Sequence, residues 1–175
     1  LYTRFMHARA AAQDDTLRCC FHGTRAENIA PILESSLDPA RRGDSTGQRF
    51  GAGEYVASRL STALNYCKDG SNTVLIFAAL CEGASVHSSR EPWGEIVVFE
   101  RPEHLLPVAT LEVPAAAAAE VRRRLGLDPA KLTSRSQEAE KMLGDRILKR
   151  IESGDISEAS ELYSSTEEVR EGGYP

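Results

Sequence analysis

Long apolar runs are absent from the sequence, and so is an excess of positive charge. The longest apolar run, from Val74 to Cys81, has the length of a strand, whereas a membrane-spanning helix needs about 20 apolar residues. The 175 residues carry 21 basic and 26 acidic side chains, for a net charge of -5. Because non-specific nucleic-acid binding relies on positive charge, this balance argues against it. The composition is typical of a globular protein without a membrane segment.

Cysteine is scarce, and its spacing fits neither a zinc site nor a disulfide framework. There is no C-x-x-C pair and no cluster of histidine and cysteine at zinc spacing, so no metal is expected. Two of the cysteines are adjacent and would face opposite sides of a strand. We expect free thiols that pack as small apolar groups in a reducing compartment, and therefore an intracellular protein, nuclear or cytoplasmic. The four residues are Cys19, Cys20, Cys67 and Cys81.

A change of composition after Pro114 predicts two regions. Residues 1–113 alternate short apolar runs with turns marked by glycine and proline, which favours an α+β domain with a largely antiparallel sheet. Residues 114–175 begin with five alanines and continue with apolar residues at helical spacing to about residue 163. They are interpreted as a helical extension that packs on the sheet or on a partner. The first residue is Leu1 rather than methionine, which suggests a piece of a longer protein with further domains.

Within the first region the pattern predicts a specific order of elements. Helices are expected at 2–13 and 27–37 and again after Ala57, and Pro107 should confine the last strand to a sheet edge or a bulge. Thr24 with Glu27 fits a capping box, and Ser58 or Ser61 is expected to cap the third helix. The predicted strands are 17–21, one ending at Ala57, 73–80, 95–99 and 105–113, and the predicted loops are 38–48 and 83–94.

One segment, Phe21-His22-Gly23-Thr24, combines features that suit a ligand site. A buried-looking strand ends in a histidine, whose ring nitrogens donate or accept near neutral pH. The glycine beside it lets another molecule approach the backbone closely. A strand end of this kind is a plausible floor for a ligand cleft, although most such histidines are structural.

Two tyrosines and a glutamate further along the chain are also candidate ligand-binding residues. Tyr55 follows the glycine-marked turn Phe50-Gly51-Ala52-Gly53, and Tyr66 falls in the next helix. The pair could stack on a planar ring, or be two ordinary core tyrosines. Glu95 opens an apolar strand, where it could bind vicinal hydroxyls and stabilise positive charge, or be a solvated residue at a strand start. A Rossmann nucleotide loop is not supported, because the glycines precede a strand rather than a helix.

Together these motifs resemble the poly(ADP-ribose) polymerase type of ADP-ribosyltransferase, which is known for a histidine-tyrosine-glutamate triad. The resemblance covers residues 1–113, and the triad positions are His22, Tyr55 and Glu95. The motifs that carry it, in order, are Phe21-His22-Gly23-Thr24-Arg25, Asn28-Ile29-Ala30-Pro31-Ile32-Leu33 with Leu37, Phe50-Gly51-Ala52-Gly53-Glu54-Tyr55-Val56-Ala57, Ala63-Leu64-Asn65-Tyr66-Cys67 and Glu95-Ile96-Val97-Val98-Phe99.

The resemblance implies a fold and a set of contacts with NAD as co-substrate. The fold would be a split antiparallel sheet, with two facing sheets that hold NAD in the cleft and a helical C-terminal extension. His22 would bind the adenosine-side ribose, and the backbone of Gly23 the nicotinamide carboxamide. Tyr55 and Tyr66 would stack on the nicotinamide ring, Glu95 would hold the 2'-hydroxyl of its ribose, and the loop at 38–48 would cover the donor. The remaining residues assigned to NAD binding are Thr24, Ser61 and Ala63.

One position departs from the family pattern. Three residues before Tyr66 the family commonly has a serine whose hydroxyl bonds the carboxamide, and this sequence has Ala63. Loss of such a hydrogen bond weakens binding by about 0.5–1.5 kcal/mol. Ser61 or Thr62, on the same turn, could compensate. We therefore expect weaker binding of NAD and of nicotinamide-like inhibitors, but an active site.

The resemblance implies an enzyme that transfers ADP-ribose from NAD to an acceptor and releases nicotinamide. A protein acceptor is expected, and a nucleic-acid end is left open without support from the charge. Glu95 is compatible with polymer formation, but the short step from Tyr55 to Glu95 favours mono-ADP-ribosylation. One alternative is an inactive module that binds NAD or ADP-ribose and acts through partners. Another is a transferase that removes a 2'-phosphate from RNA with NAD, which would use arginines such as Arg41, Arg42 and Arg49.

Overall fold

The computed structural model describes residues 1–42, 50–88 and 94–127, together with residues 142, 145, 146, 148 and 149. Four α-helices and six strands lie in these segments. The helices are α1 (Tyr2–Ala11), α2 (Ile29–Ser35), α3 (Leu60–Leu64) and α4 (Ala115–Leu127). The strands are β1 (Leu17–Gly23), β2 (Glu54–Ala57), β3 (Thr73–Leu80), β4 (Ser85–Ser88), β5 (Glu95–Phe99) and β6 (Leu105–Glu112).

All six strands belong to one antiparallel sheet with the order β4-β5-β2-β1-β3-β6. The central joint of this sheet is narrow. All seven residues of β1 pair with β3, but β1 and β2 share only the pair Phe21↔Ala57. In an unbroken ladder Gly23 would lie opposite Tyr55, so the two strands diverge just beyond the pair. We call this divergence the split.

The expected fold is therefore confirmed in its class and refined in its details. The α+β class and the antiparallel sheet are as predicted. The expectation of two facing sheets needs correction, because the β1–β3–β6 half and the β2–β5–β4 half are joined into one sheet. The expected division between them corresponds to the split, where the ladder between β1 and β2 is limited to a single pair.

Side chains alternate between two buried faces of the sheet. On one face Cys20, Val56, Phe77 and Val97 pack with Ile32 of α2, and we call it the α2 face. On the other, Phe21, Ala57 and Ile76 pack against α1, α3 and α4, and we call it the α3 face. Successive residues of a strand point to opposite faces. This alternation decides on which face of the sheet each candidate site residue lies.

The strand pattern of the sequence is largely confirmed. The strands expected at 73–80 and 95–99 are found with those bounds. The strand expected at 17–21 extends further, through His22 to Gly23. Pro107 lies on the edge strand β6 beside a register shift between Ile76 and Phe77, so it occupies both the edge and the bulge that were expected. The loop at 83–94 is partly wrong, because it contains β4.

The predicted helix caps are wrong. The turn after β1 is a 3-10 helix, Ala26–Asn28, that begins after Arg25 without a side-chain cap. The hydroxyl of Thr24 instead accepts a bond from the amide of Asn28 at 3.1 Å. Neither Ser58 nor Ser61 caps α3, which begins after Arg59. Thr24 and Ser58 have other hydrogen-bond partners, the side chain of Asn28 and the backbone of Glu95, that sequence spacing does not reveal.

The start of the C-terminal extension packs on the α3 face of the sheet. Ala118 of α4 is fully buried in the cluster on the α3 face. The guanidinium of Arg122 donates to the carbonyl oxygens of Leu64 and Ser71 at 3.3 and 3.2 Å and to Oδ1 of Asn72 at 2.8 Å. The boundary at residue 113 stays a prediction, but α4 is anchored to α3 and to the turn before β3. The expected frayed end, 164–175, lies outside the described residues.

The four cysteines are free thiols, as expected. Cys20 packs on the α2 face and Cys19 on the α3 face, which confirms that the adjacent pair points to opposite sides. Burial raises the pKa of the Cys20 thiol far above its usual range. Among the described helices none is long and apolar enough to cross a bilayer.

Candidate functional site

His22 sits at the split and bonds across it. Its Nδ1 lies 2.9 Å from the backbone oxygen of Tyr55, and its ring meets the edge of Phe77 at a centroid distance of 6.3 Å. Burial lowers the pKa of the imidazole, more than the bond to Tyr55 raises it. A carbonyl oxygen can only accept, so Nδ1 carries the proton in the neutral ring. Nε2 is then an acceptor, suited to a hydroxyl donor.

Gly23 is required by the packing of α3. A Cβ at this position would overlap the carbonyl oxygen of Ala63 and lie 3.1 Å from the backbone nitrogen of Cys67. The glycine was predicted to admit a ligand, and in the structure it admits the end of α3. The consequence is that the C-terminal end of β1 and the backbone on either side of Tyr66 lie in direct contact.

Tyr66 is the exposed aromatic residue of this region. Its backbone nitrogen donates to Ala63 O at 2.9 Å, and 51% of the residue is exposed. A large aromatic side chain that is left exposed is suited to stack on a planar ligand. The other expected residues of α3, Ser61 and Ala63, are 5% and 1% exposed, so both are directed mainly into the protein.

Tyr55 is held by its own turn. Its hydroxyl donates to the carbonyl oxygen of Gly51 at 2.7 Å and accepts from the backbone nitrogen of Phe50 at 2.9 Å. The ring of Phe50 lies between Tyr55 and His87, stacked on the latter at 4.3 Å and 12°. The side chain of Tyr55 is therefore held in place by its own turn, and its hydroxyl is already used in two hydrogen bonds.

Glu95 opens β5 with a fixed backbone. Its nitrogen donates to Oγ of Ser58 at 2.9 Å, and its carbonyl oxygen accepts from the nitrogen of Ser58 at 2.9 Å. Its carboxylate forms an ion pair with Arg18 of β1, at 3.3 Å between Oε2 and Nη1. Val97 and Phe99 pack on the α2 face, so by alternation Glu95 projects on that face as well.

The candidate site residues are divided between the two faces of the sheet. His22 and Glu95 lie on the α2 face, whereas Tyr55 and Gly23 lie on the α3 face with α3 and Tyr66. His22 and Tyr55 are brought together by the bond to the Tyr55 carbonyl. Thr24 binds Asn28 beyond the end of β1. The structure thus places aromatic and backbone groups on one face and an imidazole and a carboxylate on the other.

The arginines expected for binding a 2'-phosphate are engaged elsewhere. Arg42 pairs with Glu54 at 2.8 Å and donates to the Glu100 carbonyl oxygen at 2.7 Å. Arg41 donates to Oδ1 of Asn28 at 3.3 Å. Arg49 lies outside the described residues, as does most of the loop at 38–48. Among the described residues, no group of three His, Cys, Asp or Glu side chains is placed to hold a metal ion.

Comparison with known families identifies residues 1–90 as a poly(ADP-ribose) polymerase catalytic domain. The match covers half of the chain and contains the split. The chain belongs to the poly(ADP-ribose) polymerase catalytic-domain family. This makes it, in general terms, a NAD-dependent ADP-ribosyltransferase. Comparison with the curated proteins gave no match.

The family match ends before one of the proposed catalytic residues. His22, Tyr55 and Tyr66 fall inside residues 1–90 of this polymerase-family domain, but Glu95 follows it. The match therefore does not include Glu95, which the structure places on the same face of the sheet as His22, with its backbone bonded to Ser58.

Sequence reasoning missed three residues that shape the site. Arg18 pairs with Glu95, Ser58 holds its backbone, and Arg122 anchors the turn after α3. Each acts on a residue at least 37 positions away along the chain. The period-2 pattern of β1 could have indicated that Arg18 shares a face with His22. No local signal indicated the other two.

Proposed function

We propose that this domain binds NAD through the split and transfers a single ADP-ribose unit to a protein side chain. The observation that carries the proposal is the division of the site between the two faces. The α3 face offers aromatic and backbone groups suited to a planar ring, and the α2 face offers an acceptor nitrogen and a carboxylate suited to ribose hydroxyls. NAD has a nicotinamide ring attached directly to a ribose, which is the order of groups that such a site requires.

The nicotinamide end is assigned to the α3 face. Tyr66 is exposed and adjoins the end of β1, so its ring is available for stacking. Tyr55 would bound the ring from β2, in a position set by its bonds to the turn at Phe50 and Gly51. The backbone at Gly23 would bond the carboxamide, because β2 has diverged from β1 at this point.

The ribose ends are assigned to the α2 face. The Nε2 atom of neutral His22 would accept a bond from a hydroxyl of the adenosine-side ribose. The lowered pKa of His22 keeps the ring neutral and in this role near pH 7. Glu95 would accept a bond from the 2'-hydroxyl of the nicotinamide ribose. Both are acceptor groups, as hydroxyl donors demand.

Glu95 is assigned the main catalytic role. The bond between C1' of the ribose and the nicotinamide nitrogen breaks, and its electron pair goes to the ring, which is cationic in NAD and leaves neutral. Positive charge develops on the ribose, and the carboxylate stabilises that charge more than it stabilises the ground state. The acceptor then forms a bond to C1' and loses its proton. No acid is required for the departure of nicotinamide.

Ala63 should weaken the donor site. It is buried and carries no hydroxyl, so the carboxamide would lose one hydrogen bond, worth about 0.5–1.5 kcal/mol. Ser61 is 5% exposed and is poorly placed to replace it. We expect NAD affinity about threefold to tenfold below that of a relative with serine at this position.

Labelled NAD tests the transferase proposal directly. Wild type and Glu95→Gln would be incubated with NAD labelled in the adenylate group, and protein-bound label and free nicotinamide measured. The amide keeps the size of the side chain and removes its charge, so we expect both products to fall by about 100-fold or more. A single modified band rather than a ladder supports mono-ADP-ribosylation.

Glu100→Gln is the matched control, because Glu100 follows β5 and is exposed. It should transfer label at the wild-type rate. NAD binding by wild type without release of nicotinamide would instead support the inactive binding module. That alternative has its own support, since Glu95 is paired with Arg18 and the Tyr55 hydroxyl is used internally.

A further inference from the structure

Arg18 and Glu95 form an ion pair between the two halves of the sheet. Arg18 lies on β1, and Glu95 lies on β5, two strands away and 77 residues along the chain. The side chains are 50% and 41% exposed. Because exposed ion pairs contribute little to folding stability, stability alone gives no strong reason for this contact.

The contact instead determines where the Glu95 carboxylate lies. Ser58 fixes the backbone of Glu95 on both sides, but it leaves the side-chain torsions free. Within the described part of the chain, Arg18 makes the one hydrogen bond found for this carboxylate, through Oε2. The other oxygen, Oε1, has no such bond there. A half-exposed glutamate without a partner would sample several rotamers, and few of them present an oxygen to the same point.

We propose that Arg18 is a positioning residue for Glu95, which holds Oε2 so that Oε1 meets the 2'-hydroxyl of the nicotinamide ribose. This inference rests on the proposed function. Small displacements of a catalytic group reduce rates strongly, so a rotamer held in advance raises the rate. Arg18 also carries positive charge near a reaction that develops positive charge, which opposes catalysis. Water screens this unfavourable effect at a half-exposed site, and the positional effect should exceed it.

Kinetics of three variants test the proposal, with nicotinamide release as the readout. Arg18→Ala should lower kcat about tenfold while the KM for NAD changes less than twofold, because the carboxylate is lost from its position and the NAD contacts remain. Arg18→Lys should recover part of kcat, since an ammonium group can bond one carboxylate oxygen. In the Glu95→Gln background, Arg18→Ala should have no further effect, because the two residues act as one unit.

Arg123→Ala is the matched control. Arg123 pairs with Glu120 on α4 with side-chain exposures of 59% and 40%, close to those of the Arg18 pair. Its substitution by alanine removes the same charge as Arg18→Ala does. Its kcat and KM should equal those of wild type. An Arg18→Ala enzyme with unchanged or higher kcat would overturn the proposal. So would a raised KM with unchanged kcat, which would show that Arg18 binds the NAD phosphates.

A measurement without turnover separates this inference from the transferase proposal. The carboxyl carbon of Glu95 would be observed by NMR in protein labelled at glutamate, and assigned by its loss in Glu95→Gln. Arg18→Ala should shift this signal, and Arg123→Ala should leave it in place. An unshifted signal would overturn the positioning role whether or not the protein releases nicotinamide. A shifted signal in a protein that binds NAD without turnover would support the contact between Arg18 and Glu95 and contradict only the transferase proposal.

Discussion

The two halves of the sheet differ in length and in burial. In the β1–β3–β6 half, all seven residues of β1 pair with β3, and every residue of β3 from Val74 to Leu80 is buried. In the β2–β5–β4 half, each neighbouring pair of strands shares four residue pairs, and β4 has Val86 exposed at 47%. The first half therefore has longer and more deeply buried strands than the second. We call the β1–β3–β6 half the long half and the β2–β5–β4 half the short half.

This difference assigns separate roles to the two halves. His22 and Gly23 come from the long half, and Tyr55 and Glu95 from the short one. The two halves are joined at the backbone by the single pair Phe21↔Ala57. Among the described side chains, His22 also bonds the Tyr55 carbonyl oxygen, and Arg18 forms an ion pair with Glu95. We therefore expect substitutions of packed residues to cost more stability in the β1–β3–β6 half than in the β2–β5–β4 half.

The largest effect is expected at Gly23. Gly23→Ala places a Cβ against the carbonyl oxygen of Ala63, and neither backbone can move without disturbing β1 or α3. We expect a loss of about 3 kcal/mol or more in the free energy of unfolding, measured by urea denaturation.

Gly53→Ala in the short half is its comparison. Its Cβ would overlap the Cγ1 atom of Val98, a side chain that can turn, although Phe99 O lies at 2.9 Å. The loss should be smaller, about 1–3 kcal/mol. An equal or larger loss for Gly53→Ala would contradict the difference between the halves.

A smaller effect is expected at Arg122, which ties α4 to the long half. Arg122→Ala leaves Leu64 O, Ser71 O and Asn72 Oδ1 without this donor. Loss of hydrogen bonds from a charged group predicts a decrease of about 2–3 kcal/mol in stability. Arg123→Ala, on the solvent side of the same helix, should cost less than about 1 kcal/mol.

This pair of variants also tests the boundary at residue 113. If Arg122→Ala denatures at the wild-type urea concentration, α4 is an independent extension. If it is destabilised as expected, truncation at 113 should produce a less stable domain with a displaced Tyr66, because Arg122 binds the carbonyl oxygen of Leu64, which ends α3 two residues before Tyr66.

The smallest effect is a pH dependence at the split. The pKa of folded His22 is lowered from 6.5 by burial, so the unfolded state binds more protons between the folded value and 6.5. Stability should fall as the pH decreases from 6.5 toward that lower pKa, and be independent of His22 above 6.5. His22→Gln should reduce this slope in urea denaturation at pH 5 to 7. An unchanged slope would show that His22 is not buried as a neutral ring.

Local patterns predicted the elements better than the contacts between them. The strands at 73–80 and 95–99 were predicted correctly, because an apolar run between turn signals indicates a strand from its local sequence alone. β4 was missed because Ser85 to Ser88 has a polar pattern, and only pairing with β5 makes it a strand. The caps failed because Thr24 bonds the side chain of Asn28 and Ser58 bonds the backbone of Glu95 in β5, rather than the first backbone nitrogens of a helix.

The sequence proposed candidate site residues but not their arrangement. The motif around His22 indicated a ligand cleft, and family resemblance named Tyr55, Tyr66 and Glu95. The division of these residues between two faces depends on the register of β1, β2 and β5, which sequence alone left open. The Arg18 ion pair needs that same register, so it could not be inferred beforehand.

The affinity of NAD for wild type and Tyr66→Ala tests the central claim most directly, because Tyr66 is exposed and its removal should leave the fold intact. Stacking on an aromatic side chain contributes about 1–3 kcal/mol, so the account predicts a dissociation constant about tenfold higher or more for Tyr66→Ala by calorimetry. Tyr2→Ala, on α1 and away from the split, should bind NAD as wild type does. Equal affinity for wild type and Tyr66→Ala would contradict the claim that NAD lies through the split.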